Sequence, residues 1–370
     1  MSDNNTKNPA VRKVAFFGCP LDSDERDESI QEKHALMEAG QEFKDPYSSI
    51  MELIRNEVDS PLWEEKGSIE VPAWLLPSPP STHKEQISVD HFVSFTDEDG
   101  CRRHADLVGD FIADHIFPDI PCMLAVDHSL TGGAFRRLAE LYSPGEMSLI
   151  VLDSHTDAIP VSLLSGAIQY DIETNKNSVH DPNDPFLLNR AESYNSCSFL
   201  YHLLEEGVVE PKNLYIIGVS DYPPKRSFRI KDQRIKRYVG LYAGLKKKGV
   251  KIVTKKDLLM NPSKLRAILG RIETPYLYVS IDMDIGARNA LEGVRFRNWQ
   301  GLNERQLYAI ADYIMEPLSQ GTRLAGMDLT EINPRIADLS SPPGRDRTYQ
   351  IALNLIKKLC FGMKLDRITG

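Results

Sequence analysis

The chain has 370 residues, 41% of them hydrophobic, and a formal net charge of -9 at pH 7. That content suits a folded protein with a sizeable core, and the acidic balance, with a pI of about 5.6, speaks against nucleic acid as a partner. No apolar run reaches the ~20 residues of a membrane helix, MSDNNTKNPA lacks the apolar stretch of a secretory signal, and the five cysteines are scattered without a CxxC, so a reducing, cytoplasmic setting is expected.

Residues 1–10 read as a disordered tail and 11–370 as one α/β domain. Seven short apolar runs rich in Val, Ile and Leu read as buried strands: 11–18, 122–127, 147–153, 214–220, 250–254, 276–284 and 324–332. Their apolarity is continuous rather than alternating, as expected when helices cover both faces of a parallel sheet. Residues 135–142, 303–318 and 348–359 carry amphipathic helical patterns, and 237–249 ends in lysines followed by Gly249, a helix stop signal. The alternation of strand and helix predicts an α/β fold with a mostly parallel sheet. Two stretches fall outside it. Residues 59–90 are proline-rich and read as a surface excursion; 160–198 are polar and read as a long loop, either a plain insertion or a lid.

Acids and histidines collect where the apolar runs end. AVDHS (125–129) offers His128, DSHTD (153–157) offers Asp153, His155 and Asp157, and SIDMD (280–284) offers Asp282 and Asp284. In a strand, residues i and i+2 project to one side, so Asp153 pairs with His155 and Asp282 with Asp284. In open α/β sheets such strand ends meet in one crevice. Unpaired buried carboxylates cost several kcal/mol each, roughly, so cations must compensate. Oxygen and imidazole donors without thiolate suit Mn²⁺ or a similar divalent ion, Ni²⁺ included. Six ligands exceed one tetrahedral zinc, and four carboxylates balance two divalent ions. Any one of these pairs alone is common in loops and helix caps; three in succession are not.

Together with EINP (331–334), FFGCPLD (16–22) and GRDRTYQIALNLI (344–356), these motifs resemble the ureohydrolase family of arginase, agmatinase and formiminoglutamase, whose pattern is GGDHS, DAHxD, SxDxDxxDP and ExNP. The likeness spans about residues 11–359, specific at the metal motifs and loose elsewhere. It implies an arginase-like three-layer α/β/α fold, a homo-oligomer, and a small guanidino or related amidine substrate. His128, Asp153, Asp157 and Asp282 would hold one ion, and Asp153, His155, Asp282 and Asp284 the other, with Asp153 and Asp282 bridging. A hydroxide between the ions would attack the amidine carbon. Asp157 and Glu331 would act in catalysis, Glu331 also pairing with the guanidinium.

The sequence also departs from the family pattern. Ala125 and Val126 replace the glycines before DHS, the closing Asp-Pro after Asp284 is absent, and VRFRNWQGL (294–302) replaces a Gly-rich stretch. Arg295, Arg297 and Trp299 there either shape the pocket and bind an anionic substrate tail or belong to a solvated loop, the plainer reading. Asn195 stands where the family has a proton-transfer histidine, as a candidate substrate contact. Asparagine is no general base near neutral pH, so water, His180 or His202 would have to serve, although His202 sits in a helical pattern that suits a structural role. Cys197 reads as a buried small residue rather than a nucleophile. A deacetylase-like amide hydrolase and a catalytically silent metal-binding homologue remain the alternatives.

Overall fold

The computed structural model describes residues 12–286, 291–297, 301–337 and 346–363; the expected tail at 1–10 lies outside them. Eight strands, β1 (Val14–Cys19), β2 (Trp63–Ser68), β3 (Ile120–Ala125), β4 (Met147–Leu152), β5 (Leu214–Val219), β6 (Lys251–Thr254), β7 (Tyr276–Asp282) and β8 (Arg323–Thr330), form one sheet. The order is β2-β1-β3-β8-β7-β4-β5-β6, and every pairing is parallel. All seven apolar runs are strands of this sheet.

Period-two alternation divides the core. Val14, Phe16, Leu124, Ile150, Val279 and Leu329 pack toward the helices Pro46–Glu57, Glu304–Ser319 and Thr348–Phe361. Ala15, Phe17, Met123, Leu149, Val151 and Tyr278 face the opposite layer, with Gly100–His115, Leu130–Tyr142 and Gln233–Lys248. Both faces of the sheet are therefore covered, which gives the three layers. Each side chain of Phe or Leu size that is removed from water here contributes about 2 kcal/mol.

The four expected helices are present with shifted ends. Leu130–Tyr142 starts five residues earlier than its apolar stripe. Gln233–Lys248 stops at Gly249, whose φ of 112° is the left-handed cap the sequence signalled. Glu304–Ser319 opens with a capping box between Asn303 and Gln306.

Two expectations need correction. The 59–90 stretch is not a mere excursion, because it supplies β2, paired to β1 at the sheet edge. The 160–198 stretch is not all loop: its first part is the helix Val161–Thr174, and residues Pro185–Leu187 form a 3-10 turn.

Between β3 and β4 the chain crosses over two strands added later, β8 and β7. The carboxyl ends of β3, β8, β7 and β4 thus lie side by side, and this row frames the site.

Candidate metal centre and adjoining cavity

His128 lies just beyond β3, Asp153, His155 and Asp157 just beyond β4, and Asp282 and Asp284 at the end of β7. The structure gathers them into two groups. Ligand atoms of His128, Asp153, Asp157 and Asp282 lie within 4.8 Å of one another, as do those of Asp153, His155 and Asp284. His128 Nδ1 is 3.2 Å from Asp153 Oδ2, 2.9 Å from Asp157 Oδ2 and 3.2 Å from Asp282 Oδ2. His155 Nδ1 is 3.0 Å from Asp284 Oδ2 and 3.5 Å from Asp153 Oδ1. Asp153 therefore belongs to both groups. Asp282 falls only in the first, while its Oδ1 accepts the Asp284 N–H at 2.8 Å.

The groups around the ligands decide their state. His128 Nε2 is 2.9 Å from Ser280 Oγ, and Ser280 donates to Asp328 Oδ1 at 2.7 Å. Asp328 also accepts from Tyr278 Oη at 2.7 Å and Thr131 Oγ1 at 2.9 Å. With the serine proton committed to Asp328, Ser280 Oγ accepts from His128 Nε2–H, and Nδ1 is the nitrogen turned to the acids; burial opposes its protonation, but Asp153, Asp157 and Asp282 raise the imidazole pKa well above its usual value, so a cation held there would take the place of a proton. On the other side, Ser154 Oγ donates to Asp284 Oδ1 at 2.8 Å.

The donor set fits divalent cations. His128 Nδ1, Asp153 Oδ2 and Asp284 Oδ2 are all shielded from solvent and have no hydrogen-bond partner. Buried polar atoms are rarely left so, and here all three point into the two ligand groups. Burial and the charges of Asp284 and Asp153 push the Asp282 carboxyl well above the usual range, only partly offset by His128. For Asp157 the same causes apply, burial first and then Asp153. A cation at the centre would remove both penalties, and four acids with two imidazoles are the hard to borderline donors such an ion takes.

Beside the cluster lies a cavity of about 50 Å³, lined by Asp127 and Glu331 on one side and by Asn195, Cys197, Phe186 and Phe296 on others. Glu331 is buried and adopts φ 61°, a strained value for glutamate. Its backbone holds it there: Glu331 N–H donates to Val126 O at 2.9 Å, and its carbonyl accepts from Arg295 N–H at 3.0 Å. Its Oε1 accepts the His128 N–H at 3.3 Å, which sets the carboxylate against the backbone of a ligand residue. Burial, and then neighbouring Asp127, raise its pKa well above the usual value, with Arg295 opposing.

Among the sequence candidates, Asn195 is buried in the cavity wall, with Oδ1 accepting the Cys197 N–H at 2.9 Å. Cys197 also lines the cavity, and burial, followed by Asp157, pushes its thiol up, which disfavours a nucleophilic role. Neither histidine offered for proton transfer reaches this cavity. His180 is exposed, and His202 packs against the Tyr194 ring at 5.5 Å, with burial lowering its pKa. The solvated-loop reading fails for Arg295, whose side chain is 5% exposed and paired with Asp22 and Asp24. Arg297 is exposed on a neighbouring groove, and Trp299 lies outside the described residues. Two site residues escaped the sequence reading, Ser280 and Asp328, and Asp127, legible in the DHS cluster, had no role assigned to it. A carboxylate inside the apolar run LAGMDLTEI was the available signal for Asp328.

The profile of the Arginase family matches residues 12–362. The chain belongs to the arginase family. Arginase of Staphylococcus aureus strain COL is 26% identical over 275 residues, covering 74% of this chain and 77% of that protein. Formimidoylglutamase of Bacillus subtilis is 16% identical with a TM-score of 0.58, over 97% of this chain and 89% of that one. Arginase of Bacillus caldovelox is 17% identical with a TM-score of 0.58, over 96% and 100%. At these identities the two solved structures speak for the fold. As an arginase-family protein the chain is a metal-dependent hydrolase of C–N bonds in linear amidines.

Proposed function

We propose that the chain hydrolyses a guanidino compound such as arginine, agmatine or a related guanidino acid, using two divalent cations, Mn²⁺ first and Ni²⁺ second. The observation that carries this reading is the pair of ligand groups sharing Asp153, with orphaned buried atoms turned into both. His128, Asp153, Asp157 and Asp282 would hold one cation, and Asp153, His155 and Asp284, completed by Asp282, the other. Bound there, the cations supply Lewis acidity and lower the pKa of water toward neutrality.

The chain's own groups then orient the substrate. Glu331, an acceptor with two oxygens, matches a planar multi-donor cation. Asp127 adds a second negative charge beside it, its own Oδ1 held by Ser129 N–H at 2.9 Å and its Oδ2 by the Ser23 hydroxyl. Asn195 Nδ2 donates weakly to Ser193 Oγ at 3.4 Å, so its amide has a further N–H for a ligand. Asparagine donates without exchanging protons, so proton delivery to the leaving amine falls to water or a cavity carboxylate.

Elemental analysis of protein reconstituted with Mn²⁺ should give two equivalents per chain. A panel of arginine, agmatine, guanidino acids and formiminoglutamate, read by urea, ammonia and amine release, should show turnover that a chelator abolishes. One tightly held zinc per chain, or no turnover across the panel, would sink the proposal. Sedimentation of the same sample tests the expected homo-oligomer.

A further inference from the structure

Residues 175–198 run from the end of the helix Val161–Thr174 to the cavity, where Phe186, Asn195 and Cys197 form part of the wall. Most hydrogen bonds of its first half are local: Ser178 N–H to Asn175 O, Asp184 N–H to Asp181 O, Phe186 N–H to Asp184 Oδ1. Such bonds shape a loop but do not fix it to a body. Glu192 reaches Ser162 N–H only at 3.4 Å, on an exposed edge.

Arg190 is different. Its side chain is 1% exposed, although it lies in a polar surface segment. Nε and Nη2 donate to Asp97 Oδ1 at 2.9 and 2.7 Å, at the end of the helix Val89–Asp97. Nη1 donates to Glu25 Oε1, and Glu25 is itself a cavity wall residue on the loop after β1. The guanidinium also lies 5.4 Å from the Phe186 ring centre. One cation thus ties the segment to two elements remote in sequence and to its own aromatic wall residue. Two carboxylates that are 11% and 21% exposed depend on it for charge compensation, and only a planar fork can serve both at once.

We infer that Arg190 is a positioning residue: by joining Glu25, Asp97 and Phe186 it holds residues 185–192 as a wall of the substrate cavity, whereas the continuation is anchored separately by the buried Tyr194, which donates to Ser129 O at 2.6 Å, and by Ile159 N–H donating to Cys197 O at 3.1 Å. It touches neither the ligand groups nor the cavity interior, so its loss should loosen the wall and spare the metal centre. The assignment of the cavity to substrate rests on the function proposed above; the position of the wall does not.

Arg190→Gln tests this in the full chain loaded with Mn²⁺. Hydrogen exchange of the amides in 186–192 should rise about tenfold or more, while 193–198, β3, β4 and β7 exchange as in the parent and the manganese content is unchanged. With whichever of arginine or agmatine the parent hydrolyses, KM should rise about tenfold and kcat change less than about threefold. Arg190→Lys should restore part of the protection, because an ammonium reaches one carboxylate but not both, and Asp97→Asn should loosen the same segment less. Unchanged exchange in 186–192, exchange raised equally across the sheet, or a loss confined to kcat would each overturn the inference. If the parent turns over neither compound, the substrate reading fails while the exchange data still decide the role of Arg190.

Discussion

His128 divides its duties between two nitrogens. Nε2–H is taken by Ser280, which is fixed by Asp328, and Nδ1 faces three carboxylates. Ser280→Ala frees the ring to flip or change tautomer, so Mn²⁺ affinity should fall about 10- to 100-fold, read by titration against a competing chelator; an unchanged affinity would show that the serine does not set the ring. Asp153→Asn and Asp282→Asn bear on the shared ligands. Each should lose bound metal and turnover together, and a variant that keeps both equivalents removes that residue from the bridging role. Asp24 makes a separate, pH-linked case. Its carboxyl is 12% exposed, and although burial opposes ionisation, Arg26 and Arg295 lower its pKa from 3.8 to about 2. A depressed carboxyl pKa contributes stability that is fully present above pH ~3.8 and lost as pH falls through ~2. At ~1.4 kcal/mol per pKa unit the contribution is about 2 kcal/mol at neutral pH. Asp24→Asn should lower stability by that order at pH 7 in urea unfolding, with the deficit shrinking toward pH 2; a deficit independent of pH would assign the loss to packing instead.

The strands were legible because burial on both faces demands continuous Val, Ile and Leu. β2 was not, because none of its residues is buried, unlike those of β6 at the opposite edge. Its sequence WEEKGS carries charges that pair sideways, Glu64 with Lys13 at 2.8 Å and Glu65 with Arg55 at 2.6 Å. Charged edges of this kind prevent further strand pairing, and they erase the apolar signal. Helix starts were similarly masked: in Leu130–Tyr142 the first turn holds Thr131, Gly132 and Gly133, all buried against other elements rather than striped. The glycines are needed for approach. A Cβ on Gly133 would lie 1.7 Å from Ala105 O in the helix Gly100–His115, and one on Gly132 would lie 2.0 Å from the Tyr194 hydroxyl. Backbone atoms cannot give way as a flexible side chain can. Gly133→Ala should therefore push the two helices apart and cost about 1–3 kcal/mol or more. Because the same helix starts two residues after His128, metal affinity should weaken with stability. A variant as stable as the parent, with full affinity, would mean that the helices separate freely.

At the scale of the molecule, the site was legible as a set of ligands and not as a cavity. Strand period-two spacing does not set the acids side by side, as the motifs suggested: Asp282 closes β7, Asp284 lies in the 3-10 turn Met283–Ile285, and Asp153 and His155 lie past the end of β4. Nor does anything local to the motifs say that β3, β7 and β4 end together; that follows from the strand order, in which β8 and β7 are inserted between β3 and β4. The cavity wall comes from loops whose residues carry no periodicity: Glu25, Phe186, Asn195 and Arg295. Convergence of this kind has an energetic consequence for the whole fold. The acids repel one another across the carboxyl edge of the sheet, and cation binding is therefore coupled to stability. A site filled at about 100 times its dissociation constant adds about 2.7 kcal/mol, so two sites add about 5 kcal/mol. Removing metal with a chelator should lower the melting temperature by several degrees, and Mn²⁺ should restore it. Asp153→Asn, which cuts the link between the two groups, should melt at one temperature with or without either addition. Calorimetry on both proteins separates the possibilities: if the parent melts identically with chelator and with Mn²⁺, the converging acids are balanced from within the chain and the cluster does not need a cation to hold together.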